Sequence, residues 1–368
     1  MTIRESVIWQ GIESDSVYAG RFITDLSNPK CASFGPIVMF CMAPYFSLFV
    51  HESNQKLCRS DQGLASLLST DVKAIVERSR HTLKLFEDNH RWIEGQLEYF
   101  RDEIIPAHTN YFVSKLPFPA ARAFMKDLGI YSYDKKVYAN THGATFHIGI
   151  EPDVWFTMAP QEQRAIYEQY GRYFHRLGAR LDSGASTFLV SLTPELFNQE
   201  VDDVLADEYY ASVFDGHHNC YLNAVLTVFR GMMNFVNSVI ISGARSNDID
   251  YTVFKIRFLT LYAILGSLKR LHAEHQSHNL TARSVSFIGR IINTAETQVI
   301  TEPSAKPFRN TLMHYLDPRV DLSRVDFTEP LFGLVPVYFP SYDVPTFAAM
   351  IDQCIGETAS VIEEWAVL

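Results

Sequence analysis

Apolar residues recur at helical spacing through most of this chain, and the pattern is plainest in its second half. From His218 to Ile241 the residues Tyr221, Leu222, Val225, Leu226, Phe229, Met232, Met233, Val236 and Ile240 fall on one face, which predicts an amphipathic helix. Tyr251 to His275 is apolar almost all round its first half, as a helix buried between neighbours requires. A third helix is predicted from Ala282 to Val299. A last one opens near Asp343 and Pro345 and carries Phe347, Ile351, Cys354, Ile355, Val361, Ile362 and Trp365 inward. Between these two, Pro303 and Pro307 bracket a break, and a short helix then runs until Asp317-Pro318 stops it. Residues 206–368 therefore read as an all-α domain of four main helices and one short helix.

The first half reads as mixed α and β. Ser69 and Thr70 offer caps for a long helical pattern in which Val72, Ile75, Val76, Leu83, Phe86, Ile93, Leu97, Phe100 and Ile104 recur before Pro106, enough for one or two helices. Val137-Tyr138-Ala139 and Thr145-Phe146-His147-Ile148 are strand-like and flank Asn140-Thr141-His142-Gly143, which predicts a hairpin. A helix from Pro160 to about Leu181 follows, with Pro and Glu162 suited to its first turn, and a short strand from Thr187 to Leu192. An α+β domain over 1–205 is the simplest division, its boundary falling in the acidic segment 200–208.

The chain has 368 residues, 47% of them hydrophobic, so disorder is not the expectation. With 32 Lys+Arg against 42 Asp+Glu the formal charge is −10, which excludes a general basic coat for nucleic acid. Any RNA contact must be local. One basic stretch runs through Lys255, Arg257, Lys269, Arg270, His272, His275, His278, Arg283 and Arg290; its ordinary reading is a solvated helix face, and Lys269, Arg270 and Arg283 are its candidates for RNA contact. The five cysteines are scattered, without a Cys-x-x-Cys pair or a secretory leader, which fits a reducing cytoplasm. The apolar run Gly35 to Val50 is short for a membrane span and is interrupted by Pro36 and Pro44, so no membrane location is expected.

The stretch with the clearest chemistry is Arg309-Asn310-Thr311-Leu312-Met313-His314. Arginine holds a phosphate with forked, charge-assisted hydrogen bonds, and histidine moves protons near neutral pH. On a regular helix Asn310 and His314 share a side, while Arg309 diverges from His314 by about 140°. Arg309 follows Pro307 closely and so falls in the first turn of the predicted helix, where the dipole disfavours a cation but a bound anion would be welcome. An Arg and a His five apart also occur in many unrelated helices.

In context, Phe308-Arg309-Asn310-Thr311-Leu312-Met313-His314-Tyr315 follows the third long helix and precedes the last, and here the chain resembles the HEPN superfamily of helical ribonucleases. The hallmark of that family is an arginine, four to six residues, then a histidine, often with asparagine directly after the arginine; Arg309, Asn310 and His314 match it. Pro330-Leu331-Phe332-Gly333-Leu334-Val335 and the helix ending Glu363-Glu364-Trp365 are similar to HEPN domains of prokaryotic defence and toxin proteins. The resemblance covers residues 206–368. It implies an HEPN-like four-helix bundle and RNA cleavage without a metal or other cofactor, by attack of the 2′-OH on the adjacent phosphate. His314 would be acid or base, Arg309 would hold the phosphate, and Asn310 would orient His314 or the RNA backbone. It also implies a homodimer whose facing motifs complete the site, a toxin or anti-phage role with an antitoxin or defence partner, and a further polar residue for which Asn223, Asn234 and Glu296 are candidates.

Other constellations have plainer readings. His217, His218 and Cys220 lack a second ligand cluster, and His142 and His147 would lie on opposite faces of a strand as ordinary residues. Glu168, Arg172 and His175 fit an ion-paired helix face. Asp182-Ser183-Gly184-Ala185-Ser186 lacks the Gly-x-Ser-x-Gly elbow of serine hydrolases, and no Walker A loop, dinucleotide fingerprint or His-Glu-x-x-His motif occurs. The competing reading from another class is a non-catalytic module that binds RNA, a nucleotide or a protein partner.

Overall fold

A capping box opens the chain: the Thr2 side chain accepts from the Glu5 backbone, Glu5 reaches back, and α1 (Ile3–Leu26) follows. The computed structural model describes residues 2–367 apart from 89–90, 115, 117, 119–124, 179–185, 199–201, 241–248 and 318–319; the serine-containing segment 182–185 and Pro318 lie outside the described residues. The apolar run forms α2 (Gly35–Leu57), a mostly buried helix that tolerates Pro44 in its interior. After the single turn α3 (Gln62–Ala65), α4 (Thr70–His81) begins at Ser69, whose hydroxyl accepts from Val72 N–H. The long pattern predicted up to Pro106 breaks here. Residues Thr82–Glu87 form a 3-10 turn with Leu85 at φ +47°, and α5 (Trp92–Tyr99) starts afresh. A π-helical turn, Phe100–Ile104, joins α5 to α6 (Ile105–Ser114), next to Pro106, which has no N–H for the carbonyl four residues back.

The sheet is small and antiparallel, ordered β2-β1-β3, from β1 (Leu128–Tyr133), β2 (Lys136–Asn140) and β3 (Asp202–Val204). Val137–Ala139 is strand as expected, but its hairpin partner precedes it. The turn residues Asp134 and Lys135 have φ of +48° and +64°, the left-handed pair that matches strand twist. The predicted return strand is instead α7 (Thr141–Ile148): Asn140 caps it by accepting from Gly143 N–H, and Gly149 ends it at φ +76°. Asparagine and glycine mark turns and helix ends alike, and packing of α7 on α2 decides between them. Next come α8 (Pro152–Thr157) and α9 (Pro160–Arg176). The expected strand at Thr187–Leu192 is a 3-10 turn. Asp25 takes both the N–H and the hydroxyl of Thr187, at 2.6 and 2.7 Å, and so pins this segment to α1.

The second half holds α10 (Ala206–Ala211), α11 (Cys220–Asn234), which runs on through a π turn at Phe235–Val239, and α12 (Tyr251–Ala273). The predicted third helix is two, α13 (Ala282–Ile292) and α14 (Ala295–Thr301), because Thr294 starts a new cap. Then follow α15 (Ala305–His314), α16 (Leu334–Tyr338) and α17 (Val344–Ala366). The chain is thus mostly helical with a three-stranded sheet, a mostly helical α+β class.

The helices of the second half pack on one another, yet α12 also packs on α1 and on the 82–87 turn, and α15 touches α2. One hydrophobic core cluster runs from Ile12 to Ala366, so packing is continuous across position 205. Length and composition would let α12 cross a membrane, but 83% of its most apolar window is buried inside the protein.

Lys255 and Arg257 do not belong to a solvated face. Lys255 is fully buried, its ammonium 2.6 Å from Asp15 of α1 and 4.2 Å from the centroid of the Tyr315 ring, and Arg257 is buried against Asp352. Thr252 and Tyr315 also donate to Asp15, at 2.8 and 2.9 Å. Burial disfavours both charges of the Asp15–Lys255 pair, lifting the acid and lowering the amine, and their mutual attraction opposes it.

Candidate functional site

Helix α15 begins at Ala305, so Pro307 lies within it and Arg309 is its fifth residue. Arg309 is therefore beyond the N–H groups left free at a helix start, and the anion site expected there from Arg309 is not formed in that way. Phe308, Thr311, Leu312 and Met313 are buried and hold one face of α15 in the core. Thr311 shares a 2.5 Å hydrogen bond with Tyr338 and accepts from Asp317 N–H at 3.0 Å. His314 is the last helical residue, and Tyr315, at φ +63°, ends the helix before its hydroxyl reaches Asp15.

The partner of His314 comes from the other half of the chain. His314 Nδ1 lies 2.8 Å from Glu52 Oε2, and the second oxygen of Glu52 accepts from Arg80 Nη1 at 3.1 Å. Glu52 belongs to α2 and Arg80 to α4. The Glu52 side chain is 7% exposed and that of His314 is 40% exposed. Burial pushes the Glu52 carboxyl up, but the hydrogen bond from His314 and the charge of Arg80 outweigh it and hold the group below the usual range. An ionised carboxylate only accepts, so Nδ1 is the donor and the neutral ring keeps its lone pair on Nε2.

Arg309 donates to Asn310 Oδ1 at 3.1 Å, and Asn310 donates to Asp317 at 3.4 Å. Among the described residues no hydrogen bond joins Asn310 to His314. The Arg309 guanidinium stands 5.8 Å from the centroid of the Tyr262 ring; burial lowers its proton affinity, and Glu87, Tyr262 and Glu52 oppose that. Burial raises the Glu87 carboxyl against the pull of Arg309, Arg270, Lys306 and Lys84. Gly266 of α12 makes room for Glu87, since a Cβ there would collide with its carboxylate. Lys84 is pushed down by burial and by repulsion from Arg80 and Arg309. The motif thus sits in a cation-rich cluster threaded by two carboxylates, Glu52 and Glu87.

The residues considered for an additional polar role lie elsewhere. Asn223 donates to the carbonyls of Tyr210 and Gly216, and Asn234 to Val137 O and Glu363. Glu296 is in α14, with no hydrogen bond to Arg309 or His314. The acidic side chain that does contact His314 is Glu52. Its signal was in the sequence, because Tyr45, Leu48, Phe49 and Glu52 share helical spacing and an acid at an inward position demands a partner.

The three residues considered for RNA contact are occupied by the fold. Lys269 donates to Thr301 at 2.6 Å; Arg270 donates to Phe86 O at 2.6 Å and stacks 4.0 Å from the centroid of Trp92; Arg283 donates to the carbonyls of Phe214 and Val367. Of these, Arg270 shares the field of Glu87 with Arg309.

His142 and His147 are on α7, not on a strand, and both are buried; their partners are the hydroxyls of Tyr210 and Thr82 at 2.9 and 2.8 Å. Burial depresses each to about 3, and the neighbouring His108, with its ring centroid 4.3 Å from that of His142, to about 2. His108 and His147 border an apolar cavity of about 180 Å³ whose walls include Phe40, Tyr138, Trp155 and Phe235. Glu168 pairs with Arg164 at 2.8 Å, one turn earlier on the helix, and among the described residues not with Arg172 or His175 as expected.

No family model, curated protein or solved structure matches this chain.

Proposed function

We propose that this chain is a metal-independent endoribonuclease of HEPN type, acting in the cytoplasm as a toxin or anti-phage effector. The observation that carries the reading is the Glu52–His314 hydrogen bond, which leaves a half-exposed imidazole with a defined base nitrogen on the same carboxylate whose charge also acts on Arg309. In the reaction, His314 Nε2 takes the proton of the ribose 2′-OH. The 2′-oxygen bonds to phosphorus as the bond to the 5′-oxygen breaks, leaving a 2′,3′-cyclic phosphate and, once that oxygen is protonated, a 5′-OH end. Arg309 holds the phosphate and balances the charge that builds on it. Asn310 sets the guanidinium through the 3.1 Å bond between them. A second copy of the chain would bring a second motif to the same RNA.

The rival is a structural reading, favoured by the burial of Glu52 and Arg80, in which this network only ties α2 and α4 to α15. Incubating the protein with tRNA and mRNA in buffer freed of divalent ions separates the two. Cleavage with cyclic phosphate ends, lost in both Arg309→Ala and His314→Ala while folding is retained, supports the nuclease. Intact RNA with the unmodified protein, or equal cleavage by both variants, sinks it.

A further inference from the structure

Away from the arginine and histidine of α15, the start of α5 meets the end of α12. The side chains of Glu94, Glu274 and His278 converge there, with donor atoms all within 4.8 Å of one another. His278 Nε2 is 3.6 Å from Glu274 Oε2 and 3.8 Å from Glu94 Oε1. These separations are too long for N–H···O hydrogen bonds. They suit donors that each lie about 2.0–2.2 Å from one shared ion.

The histidine itself is the second, independent sign. Its side chain is 8% exposed, and Nε2 is buried without a hydrogen-bond partner although it faces both carboxylates. A buried ring nitrogen left unpaired costs free energy, and a metal bond would satisfy it. The backbone is arranged to hold the pair, because His278 N–H donates to Glu274 O at 3.2 Å and sets the two side chains one helical turn apart. One turn earlier Arg270 stacks on Trp92, with its guanidinium 4.0 Å from the ring centroid, which fixes the start of α5 against α12. Glu94 and Glu274 are 65% and 41% exposed, so they have freedom to close the last fraction of an ångström and leave a side open to water. Two carboxylates and an imidazole that ligates through its lone pair would supply two negative charges, the complement of a divalent cation.

We propose that Glu94, Glu274 and His278 bind a divalent transition-metal ion of the zinc class through two carboxylates, one imidazole nitrogen and water, and that the ion clips α5 to the end of α12. This site is independent of the proposed RNA chemistry, which uses none of the three residues.

The test is titration of full-length, chelator-treated protein with Co²⁺ followed by visible absorption, then displacement by Zn²⁺. One equivalent of Co²⁺ should saturate the band, Zn²⁺ should abolish it, and either ion should raise the Tm. His278→Ala and Glu94→Gln should each weaken Zn²⁺ binding by about tenfold or more. Glu94 is exposed, so its variant keeps the fold even where the histidine variant does not. Absence of a saturable band overturns the proposal, and so does unchanged binding in Glu94→Gln. In either case the cluster is a polar contact among three side chains and not a metal site.

Discussion

His314 and Glu52, 262 positions apart in the sequence, are joined by a 2.8 Å hydrogen bond. That bond makes α2 part of the candidate site and gives the imidazole one tautomer. Glu52→Gln preserves shape but removes the charge, so Nδ1 is no longer obliged to donate and Arg80 loses its anionic partner. RNA cleavage should fall by about 10²-fold or more, with the circular dichroism spectrum unchanged. Cleavage by this variant at the wild-type rate would remove Glu52 from the mechanism.

Arg309 leaves a distinct mark on stability, through Glu87. Burial raises the Glu87 carboxyl above its ordinary value of 4.5, and Arg309 is the first of the charges that restrain this. A carboxyl raised in the fold favours folding below its unfolded pKa and loses that contribution as pH rises through the folded value. Removing Arg309 raises Glu87 further and enlarges the loss at neutral pH. Arg309→Ala should therefore be destabilised by about 1–3 kcal/mol at pH 8 and by less at pH 5, measured by urea unfolding. A cost independent of pH would mean that Arg309 and Glu87 are not coupled.

The buried pair Asp15–Lys255 ties α1 to α12 at 2.6 Å. Lys255→Met alone strands a carboxylate among Thr252, Tyr315 and apolar neighbours, and should cost about 3–5 kcal/mol. Adding Asp15→Asn removes the stranded charge and should recover a substantial part of that loss. The measurement is a double-mutant cycle in urea; strict additivity of the two costs would contradict a direct interaction.

Helices with strong stripes or strong ends were legible in the sequence. Those at Pro160, Tyr251 and Asp343 begin at the predicted places, because Pro160 presets the first turn and Asp250 and Asp343 cap the helices that follow them. Residues 141–148 were not, because Thr145 and Ile148 are β-branched and Asn140 suits a turn as well as a cap. The burial of Lys255 and Arg257 is not legible in the sequence, since charge implies solvent unless a buried partner is known, and Asp15 and Asp352 are distant in sequence. The same limit hid the site. The arginine and histidine are local in sequence and were visible, whereas Glu52 and Arg80 join them only through tertiary packing of α2 and α4.

Three buried histidines make the fold acid-sensitive. Folding depresses His108 to about 2 and His142 and His147 to about 3, from an ordinary 6.5, chiefly by desolvation. The unfolded chain binds protons that the folded one refuses, so their contribution is complete above the ordinary value and drains away as pH falls below it. Each adds a slope of up to about 1.4 kcal/mol per pH unit below about pH 6. Half-buried His51, depressed to about 4, adds to the same trend, so urea unfolding of the wild type at pH 7, 6 and 5 should show the loss steepening toward the protons of these four rings. His147→Gln keeps a partner for the Thr82 hydroxyl, which bonds the ring at 2.8 Å, and should shed one proton from that slope. Stability that stays level from pH 7 to pH 5 would mean that these rings accept protons in place.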